Sequence, residues 1–178
     1  VIFDLEAMNA SDLAQVLRGA SAVVFAAGAG PGSETRRKRT VDYGAAVLGQ
    51  RAALEAGVSR FIQISAFGLQ YPLGEDASPN WREYVRAKRD ADIELTETTL
   101  DWTIVRPTTL TNEAGKDAVS AALNLPLHPA PAPIARADVA NVLAALLEYP
   151  VLSREAFDIA GGDTPILQAL NALAAQSA

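Results

Sequence analysis

Residues 21–27, Ser-Ala-Val-Val-Phe-Ala-Ala, have the pattern of a buried strand, and the glycine-rich residues 28–32 end it. A long helical pattern follows over residues 34–56, and Gly57 is placed to stop that helix. Residues 60–65 then predict another strand. A strand, a crossover helix and a further strand form the repeating unit of a parallel sheet, so this stretch predicts an α/β fold.

The same alternation extends to both sides of this unit. Further helices are predicted over residues 11–18, 80–98 and 136–148, and a last helix is predicted to begin with Thr164 as its cap and Pro165 at its first position. Further strands are predicted over residues 1–5, 101–106 and 156–159, and the four prolines of residues 123–133 predict a loop or a short edge strand. We therefore predict one doubly wound parallel sheet with helices on both faces and a single domain over residues 1–178.

The amino-acid composition argues against several kinds of partner, catalysis and metal site. The 178 residues carry a formal net charge of −6, which argues against nucleic acid or an anionic membrane as a partner. There is no cysteine, which excludes thiolate catalysis and disulfides and fits a cytoplasmic protein. A single histidine, His128, argues against a histidine-rich metal site, so no metal is predicted. The basic run of residues 36–39 is either a phosphate contact or, as we favour, a solvated helix turn.

The segment Tyr84-Val-Arg-Ala-Lys88 is the best candidate for chemistry. Residues four apart on a helix share one face. A neighbouring ammonium lowers the pKa of a phenol, which can then exchange a proton with a substrate alcohol or carbonyl. Taken alone, however, a tyrosine and a lysine at this spacing also fit an ordinary amphipathic helix.

The positions that follow the predicted strands support the functional interpretation. Ala26, Ala27 and Gly28 end one strand with small residues, and Ser65 ends the next strand. Small residues at the carboxyl ends of parallel strands leave room for a dinucleotide, although without this context simple turn chemistry would be the better explanation of Ala26-Ala27-Gly28.

The ordered set of motifs is similar to that of a known family. The motifs are Val1-Ile-Phe-Asp4-Leu5, Ala26-Ala27-Gly28, Asp42-Tyr43-Gly44, Phe61-Ile-Gln-Ile-Ser65-Ala66, Tyr84-Val-Arg-Ala-Lys88, Asp101-Trp-Thr-Ile-Val-Arg106-Pro107, Ile134-Ala-Arg136-Ala-Asp138-Val-Ala140 and Gly161-Gly-Asp-Thr164-Pro165-Ile166. Together they resemble the atypical short-chain dehydrogenase/reductases, and in particular the bacterial NAD(P)H-binding proteins of the NAD-dependent epimerase/dehydratase, or sugar-epimerase-like, group.

This resemblance implies a Rossmann-like fold and an NADP or NAD site. It implies that Asp4 and Leu5 lie against the adenine, that Ala26, Ala27 and Gly28 pass along the cofactor, and that Lys88 holds the nicotinamide ribose. It places Pro107, Thr108 and Thr109 near the nicotinamide. Tyr84 is then the acid/base, Lys88 lowers its pKa, and Ser65 is a weaker candidate for polarising the substrate oxygen.

The chain departs from the family pattern at three places. The glycine-rich phosphate loop of the family should precede Val1, so we expect an N-terminal extension of about 55 to 75 residues, the length of two βα units. The active serine of relatives often lies a residue or two after Ser65, where this chain has Ala66 and Phe67. The usual glycine-rich turn after Pro107 is Thr108-Thr109 here.

Two functions remain open at this point. The first is an NAD(P)(H)-dependent oxidoreductase, or a related epimerase/dehydratase, that acts on a small carbonyl or hydroxyl substrate. The second is a non-catalytic NADP(H)-binding redox sensor with protein partners. A fragment without a cofactor site is the third interpretation. The substrate pocket would be lined by residues 68–79 and 111–133, which carry no recognisable substrate code, and the sequence leaves open whether the protein forms a homodimer.

Overall fold

The computed structural model describes residues 2–30 and 32–177. Its helices are α1 (Ala10–Leu17), α2 (Thr35–Arg37), a π-helix (Lys38–Ala45), α3 (Ala46–Ala56), α4 (Pro79–Thr96), α5 (Arg136–Glu148) and α6 (Ile166–Ser177). Its strands are β1 (Ala22–Phe25), β2 (Arg60–Ile64), β3 (Asp101–Pro107), β4 (Leu110–Thr111), β5 (Ala118–Ala122), β6 (Ile134–Ala135), β7 (Glu155–Gly161) and β8 (Thr164–Pro165). The described residues fall into two compact units, the first within Val1–Gln63 and Leu69–Trp102, the second within Ile64–Gly68 and Thr103–Ala178.

The first unit contains the parallel pair β1 and β2. Ala22 lies opposite Arg60, and Phe25 lies opposite Gln63. Helix α1 begins after Asn9, whose side chain accepts a hydrogen bond from the backbone N–H of Asp12, as a cap should. The fully buried rings and side chains of β2, such as Phe61, form the core of this unit.

The predicted helix over residues 34–56 is present, but its first half is not a regular α-helix. The chain adopts a π-helix over Lys38–Ala45 and returns to an α-helix at Ala46. The wider turn buries one face that includes both Lys38 and Asp42. Gly57 ends α3 with φ +75°, the left-handed conformation that glycine adopts without strain, which confirms its predicted role.

The second unit contains the parallel pair β3 and β7, in register from Thr103 opposite Glu155 to Pro107 opposite Ile159. Strand β5 pairs with β7 in the antiparallel direction, and β8 pairs with β5 in the same way. Parallel pairing in both units confirms the predicted α/β class. The antiparallel strands β5 and β8 were not predicted, because their short runs carry neither long apolar stretches nor clear alternation.

Two predictions at the ends of the chain were wrong. Val1 lies outside the described residues, and the chain at Ile2 and Phe3 is not a strand. It turns after Asp4, whose carboxylate accepts the N–H of Glu6 and whose carbonyl accepts the N–H groups of Ala7 and Met8. An aspartate that binds the following backbone favours a turn over an extended chain.

The second error concerns Thr164 and Pro165, which do not begin the last helix. They form β8, where Thr164 pairs with Val119 and Pro165 pairs with Ala118. The last helix, α6, begins at Ile166, whose N–H donates to the carbonyl of Asp117. An edge strand tolerates a proline because the missing N–H can face away from the sheet.

Within the part of the chain that the structure describes, no helix combines the length and the apolar character needed to cross a bilayer.

Asp138 anchors a loop to the first turn of α5. Its buried carboxylate accepts the backbone N–H groups of Lys116 and Asp117 at 2.8 and 2.9 Å. Asp138→Ala would leave both donors without this acceptor, so we expect the free energy of unfolding to fall by about 2–3 kcal/mol, measured by urea denaturation. Asp138→Asn keeps an acceptor oxygen and should cost less than half as much. Equal losses in the two variants would contradict this role.

Candidate functional site

Tyr84 and Lys88 both lie on α4, as predicted. The helix begins after Ser78, whose side chain accepts a hydrogen bond from the N–H of Trp81 at 3.2 Å, and Pro79 occupies the first turn. The spacing of four residues places Tyr84 and Lys88 on one side of the helix. Tyr84 is half-buried and Lys88 is buried.

Lys88 forms a buried ion pair with Asp42 of the π-helix. The Nζ atom of Lys88 lies 3.6 Å from Oδ1 of Asp42, and the two side chains are only 7% and 3% exposed. Burial lowers the pKa of Lys88, while the nearby carboxylates of Asp42 and Asp92 oppose that shift. Asp42 therefore both fixes the position of the ammonium group and favours its charged form.

Asp42 also contacts the loop that follows β1. Its Oδ2 accepts the N–H of Ala29 at 3.4 Å. A Cβ atom at Gly28 would lie 3.0 Å from Asp42 Oδ1, so glycine lets the loop approach the carboxylate. One turn earlier in the π-helix, the Nζ of Lys38 donates to the carbonyl of Gly30 at 2.7 Å. The π-helix thus holds the loop that contains the candidate cofactor residues Ala26, Ala27 and Gly28.

The environment of Tyr84 keeps its phenol protonated. Burial raises the pKa of Tyr84 to about 12, and the carboxylates of Asp42 and Asp92 act in the same direction. The ring stacks on Trp81 with centroids 5.2 Å apart, and the Nζ of Lys38 lies 5.5 Å from the ring centroid. This direction is opposite to the lowered pKa expected from Lys88, because burial and two carboxylates act against ionisation of the phenol.

A buried polar network continues from α4 to β2 and α3. Gln63 donates from Nε2 to the carboxylate of Asp92 at 2.8 Å, and Gln50 donates to Oε1 of Gln63 at 2.9 Å and to the carbonyl of Ala91 at 3.0 Å. All three side chains of this network are buried. Because Asp92 influences the pKa values of Tyr84 and Lys88, the network fixes a charge that acts on both candidate residues.

The turn that contains Asp4 and Leu5 is tied to α2 and to the π-helix. Its next residue, Glu6, forms an ion pair with Arg37 at 2.6 Å and accepts the hydroxyl of Thr40 at 2.7 Å. Asp4 itself is exposed and Leu5 is half-buried.

The basic run that opens the helix is largely engaged within the protein. In addition to Arg37 and Lys38, Arg39 forms an ion pair with Asp90 at 2.5 Å, and its guanidinium group lies 3.7 Å from the ring centroid of Tyr43. These cations act as ties between elements of the first unit.

The remaining candidate residues lie in the second unit. Ser65 is buried, and its N–H donates to the carbonyl of Val105 at 2.8 Å. The carbonyl of Pro107 accepts the N–H of Phe67 at 3.0 Å. The two segments that carry Ser65 and Pro107 are therefore neighbours within this unit.

Thr108 and Thr109 have different surroundings. Thr108 is buried, and its hydroxyl donates to the carbonyl of Ala132 at 2.7 Å. Thr109 is exposed, and its carbonyl accepts the N–H of Ile134 at 2.9 Å. The hydroxyl proton of Thr108 is thus used to hold a loop, whereas the side chain of Thr109 is open to solvent.

Asp42 and Lys38 are the site residues that sequence reasoning missed. The sequence places Asp42 in the family-like motif Asp42-Tyr43-Gly44 and Lys38 in the basic run, and neither pattern indicates a role at the candidate site. The two residues lie four positions apart within a predicted helix, and this spacing is the signal that they share a face.

Comparison with known proteins gives consistent matches. The model of the NAD(P)H-binding family matches residues 1–150. The uncharacterized sugar epimerase YhfK of Bacillus subtilis is 36% identical over 173 residues, which make up 97% of this chain and 78% of that protein. A Bacillus halodurans structure with the provisional description NAD-dependent epimerase/dehydratase is 33% identical, with a TM-score of 0.86 over 97% of this chain and 77% of that chain. The oxidoreductase ylbE of Lactococcus lactis is 28% identical, with a TM-score of 0.82 over 97% and 76% of the two chains.

Proposed function

The chain belongs to the NAD(P)H-binding family, and we propose that it is a reductase that uses Tyr84 to protonate the oxygen of a small carbonyl substrate. Membership confirms the predicted resemblance and the class of cofactor, and the solved structures confirm the Rossmann-like fold. The observation that carries the proposal is the placement of the half-buried Tyr84 on the same side of α4 as the buried Lys88, and burial raises the pKa of the phenol.

The loop after β1 offers a fitting place for a dinucleotide. Ala26 and Gly28 are exposed and Ala27 is half-buried, so small residues leave backbone accessible along this loop. In the proposal, the loop passes along the cofactor, Asp4 and Leu5 lie at its adenine, and Lys88 donates to its nicotinamide ribose. The family resemblance would place Pro107 and the exposed Thr109 near the nicotinamide. Thr108 would act there through its backbone, because its hydroxyl donates to Ala132.

The chemistry divides between cofactor and protein. When bound, a reduced nicotinamide would supply the hydride for the carbonyl carbon and would itself become oxidised. Tyr84 gives its phenolic proton to the carbonyl oxygen, so that the C=O group becomes a C–H and an O–H bond. Lys88, held by Asp42, stabilises the phenolate that remains until solvent returns the proton. Ser65 would act as a hydrogen-bond donor to the substrate oxygen.

The raised pKa of Tyr84 predicts how the two directions depend on pH. With a pKa of about 12, the phenol is protonated at all lower pH values, so kcat/KM for carbonyl reduction should change less than about twofold between about pH 6 and 9. Alcohol oxidation needs the phenolate, so its kcat/KM should rise about tenfold per pH unit up to about pH 10. Both profiles can be recorded from the absorbance of the reduced nicotinamide.

Tyrosine variants provide the controls for these profiles. Tyr84→Phe should lower reduction by about 10²- to 10⁴-fold and remove the slope of the oxidation profile. Tyr43→Phe removes a phenol of the neighbouring π-helix that donates to Glu94 of α4, and it should leave both profiles unchanged. An oxidation profile that levels off near neutral pH would contradict the predicted pH dependence. It would indicate that the bound cofactor lowers the pKa of Tyr84.

Cofactor binding itself is tested by fluorescence titration of the intact protein with NADPH and NADH. We propose NADP as the preferred cofactor, and Lys88→Ala should weaken its binding. Tight NADH binding with weak NADPH binding would reverse the cofactor choice, and unchanged binding in Lys88→Ala would remove the lysine from the site.

A non-catalytic redox sensor is the second candidate. It is favoured by the observation that two groups of the candidate site already make contacts within the protein. Lys88 forms an ion pair with Asp42, and the Thr108 hydroxyl donates to the carbonyl of Ala132. In a sensor, Tyr84→Phe would leave NADPH affinity unchanged, and the parent protein would turn over no carbonyl compound.

A further inference from the structure

Residues 123–133 form a loop, here named the proline loop, that is fixed at both ends within the second unit. Near its start, the N–H of Leu125 donates to the buried carboxylate of Asp158 at 2.8 Å. Near its end, the carbonyl of Ala132 accepts the Thr108 hydroxyl at 2.7 Å and the N–H of Gly161 at 3.3 Å. A loop held at both ends presents its middle part in a defined position.

The exposed middle of the proline loop lies over the turn that follows β2. Leu127 is 38% exposed, and a Cβ atom added at Gly68 would lie 3.9 Å from its Cδ2. Gly68 has φ +85°, and the same turn is tied to β3 by the N–H groups of Ser65 and Phe67. The proline loop therefore places an apolar side chain beside the turn that carries the candidate residue Ser65.

This surface carries no lysine, arginine, aspartate or glutamate in the proline loop, in residues 64–68 or in the pair Thr108-Thr109. Its one histidine, His128, follows Leu127 in the proline loop and is neutral in the formal charge count. Phosphate groups of ligands are typically bound by arginine, lysine or helix N-termini. The carboxylate that the loop contacts, that of Asp158, is buried, so it offers no direct contact to a ligand at the surface. The register partner of Asp158 is Arg106, which takes part in an interaction within the chain.

We infer that the substrate is an uncharged carbonyl compound with an apolar substituent that packs against Leu127, and that a nucleotide sugar is not accepted. This inference rests on the reductase function proposed above and adds the substrate class to it. Leu127 is then a specificity-determining residue, and the polar rim of the site is supplied by Ser65 and Thr109.

Two aldehydes of the same shape test the inference. The neutral 4-nitrobenzaldehyde and the anionic 4-carboxybenzaldehyde are compared for binding to the intact protein with NADP⁺, by saturation-transfer NMR, and for consumption of NADPH. UDP-glucose serves as the nucleotide-sugar probe. We expect the neutral aldehyde to bind at least about tenfold more tightly than the carboxylate, since the carboxylate would lose its hydration without gaining a cation.

Variants of Leu127 decide whether the proline loop is responsible. Leu127→Ala should weaken binding of the neutral aldehyde by about fivefold to tenfold, because a hydrophobic contact is lost. Leu127→Lys should reverse the preference in favour of the carboxylate. Leu147→Lys, on another exposed leucine that lies in α5, should change neither affinity.

The outcomes separate this inference from the proposed function. Tight binding of UDP-glucose, equal binding of the two aldehydes, or unchanged binding in both Leu127 variants would each overturn the inference. A neutral preference that depends on Leu127, without NADPH consumption by any aldehyde, would support the ligand class and refute the reductase function.

Discussion

Asp42→Ala is expected to lower the free energy of unfolding by about 3–5 kcal/mol, because it leaves Lys88 buried without its carboxylate partner. The ion pair at 3.6 Å is almost fully shielded from solvent, and burial already lowers the pKa of Lys88. Removal of Asp42 should lower that pKa further and release the N–H of Ala29. NADPH affinity should therefore fall together with stability, as measured by urea denaturation and fluorescence titration of the same samples.

Three controls separate the ion pair from other effects of the substitution. Asp42→Asn keeps an acceptor for Ala29 but removes the charge. Asp90→Ala removes a partly exposed ion pair with Arg39 and a longer one with Arg86, and it should cost about 1 kcal/mol or less. The double variant Asp42→Ala/Lys88→Met removes both charges and should be more stable than Asp42→Ala alone. A loss below about 1 kcal/mol in Asp42→Ala would show that the pair does not hold the site together.

Gly161→Ala is expected to destabilise the second unit strongly although it adds only one methyl group. A Cβ atom there would lie 2.3 Å from the carbonyl oxygen of Pro133, a distance at which the backbone must move. The shift would separate β7 from the end of the proline loop and break the contact between the Gly161 N–H and Ala132. We expect a loss of about 3 kcal/mol or more in the free energy of unfolding, measured by urea denaturation.

Gly19→Ala is the matched control for this prediction. Gly19 has φ +81° but open space around it, so alanine there meets backbone strain without a clash and should cost about 1 kcal/mol. If Gly161→Ala costs no more than Gly19→Ala, the close approach of Pro133 does not constrain the fold.

Sequence patterns predicted the helices and strands whose formation depends mainly on neighbouring residues. The helix over residues 136–148 was placed at the observed bounds, and the π-helix and α3 together fill the predicted helical stretch up to Gly57. These elements have apolar periodicity and an identifiable stop. The strand over residues 1–5 failed because the turn-forming tendency of Asp4 outweighed a short apolar run.

The features that decide the site depend on contacts between distant residues. Asp42 and Lys88 are separated by 46 residues in sequence, and nothing in their immediate neighbours indicates that they pair. The direction of the Tyr84 pKa shift depends on burial and on the positions of Asp42 and Asp92, which only the folded chain defines. The family resemblance indicates Tyr84 and Lys88 as candidate site residues. The directions of their pKa shifts follow from the structure.

The π-helix has a consequence for how this chain tolerates changes in length. Loss of a single residue within Lys38–Ala45 would let the segment relax to an ordinary α-helix. A π-helical turn holds about one residue more than an α-helical turn, so the deletion would change the spacing of the side chains on the buried face of this segment. A deletion between Lys38 and Asp42 would change the spacing at which Lys38 reaches the carbonyl of Gly30 and Asp42 reaches the N–H of Ala29. Insertions and deletions should therefore be accepted in the exposed loops but selected against in these eight residues.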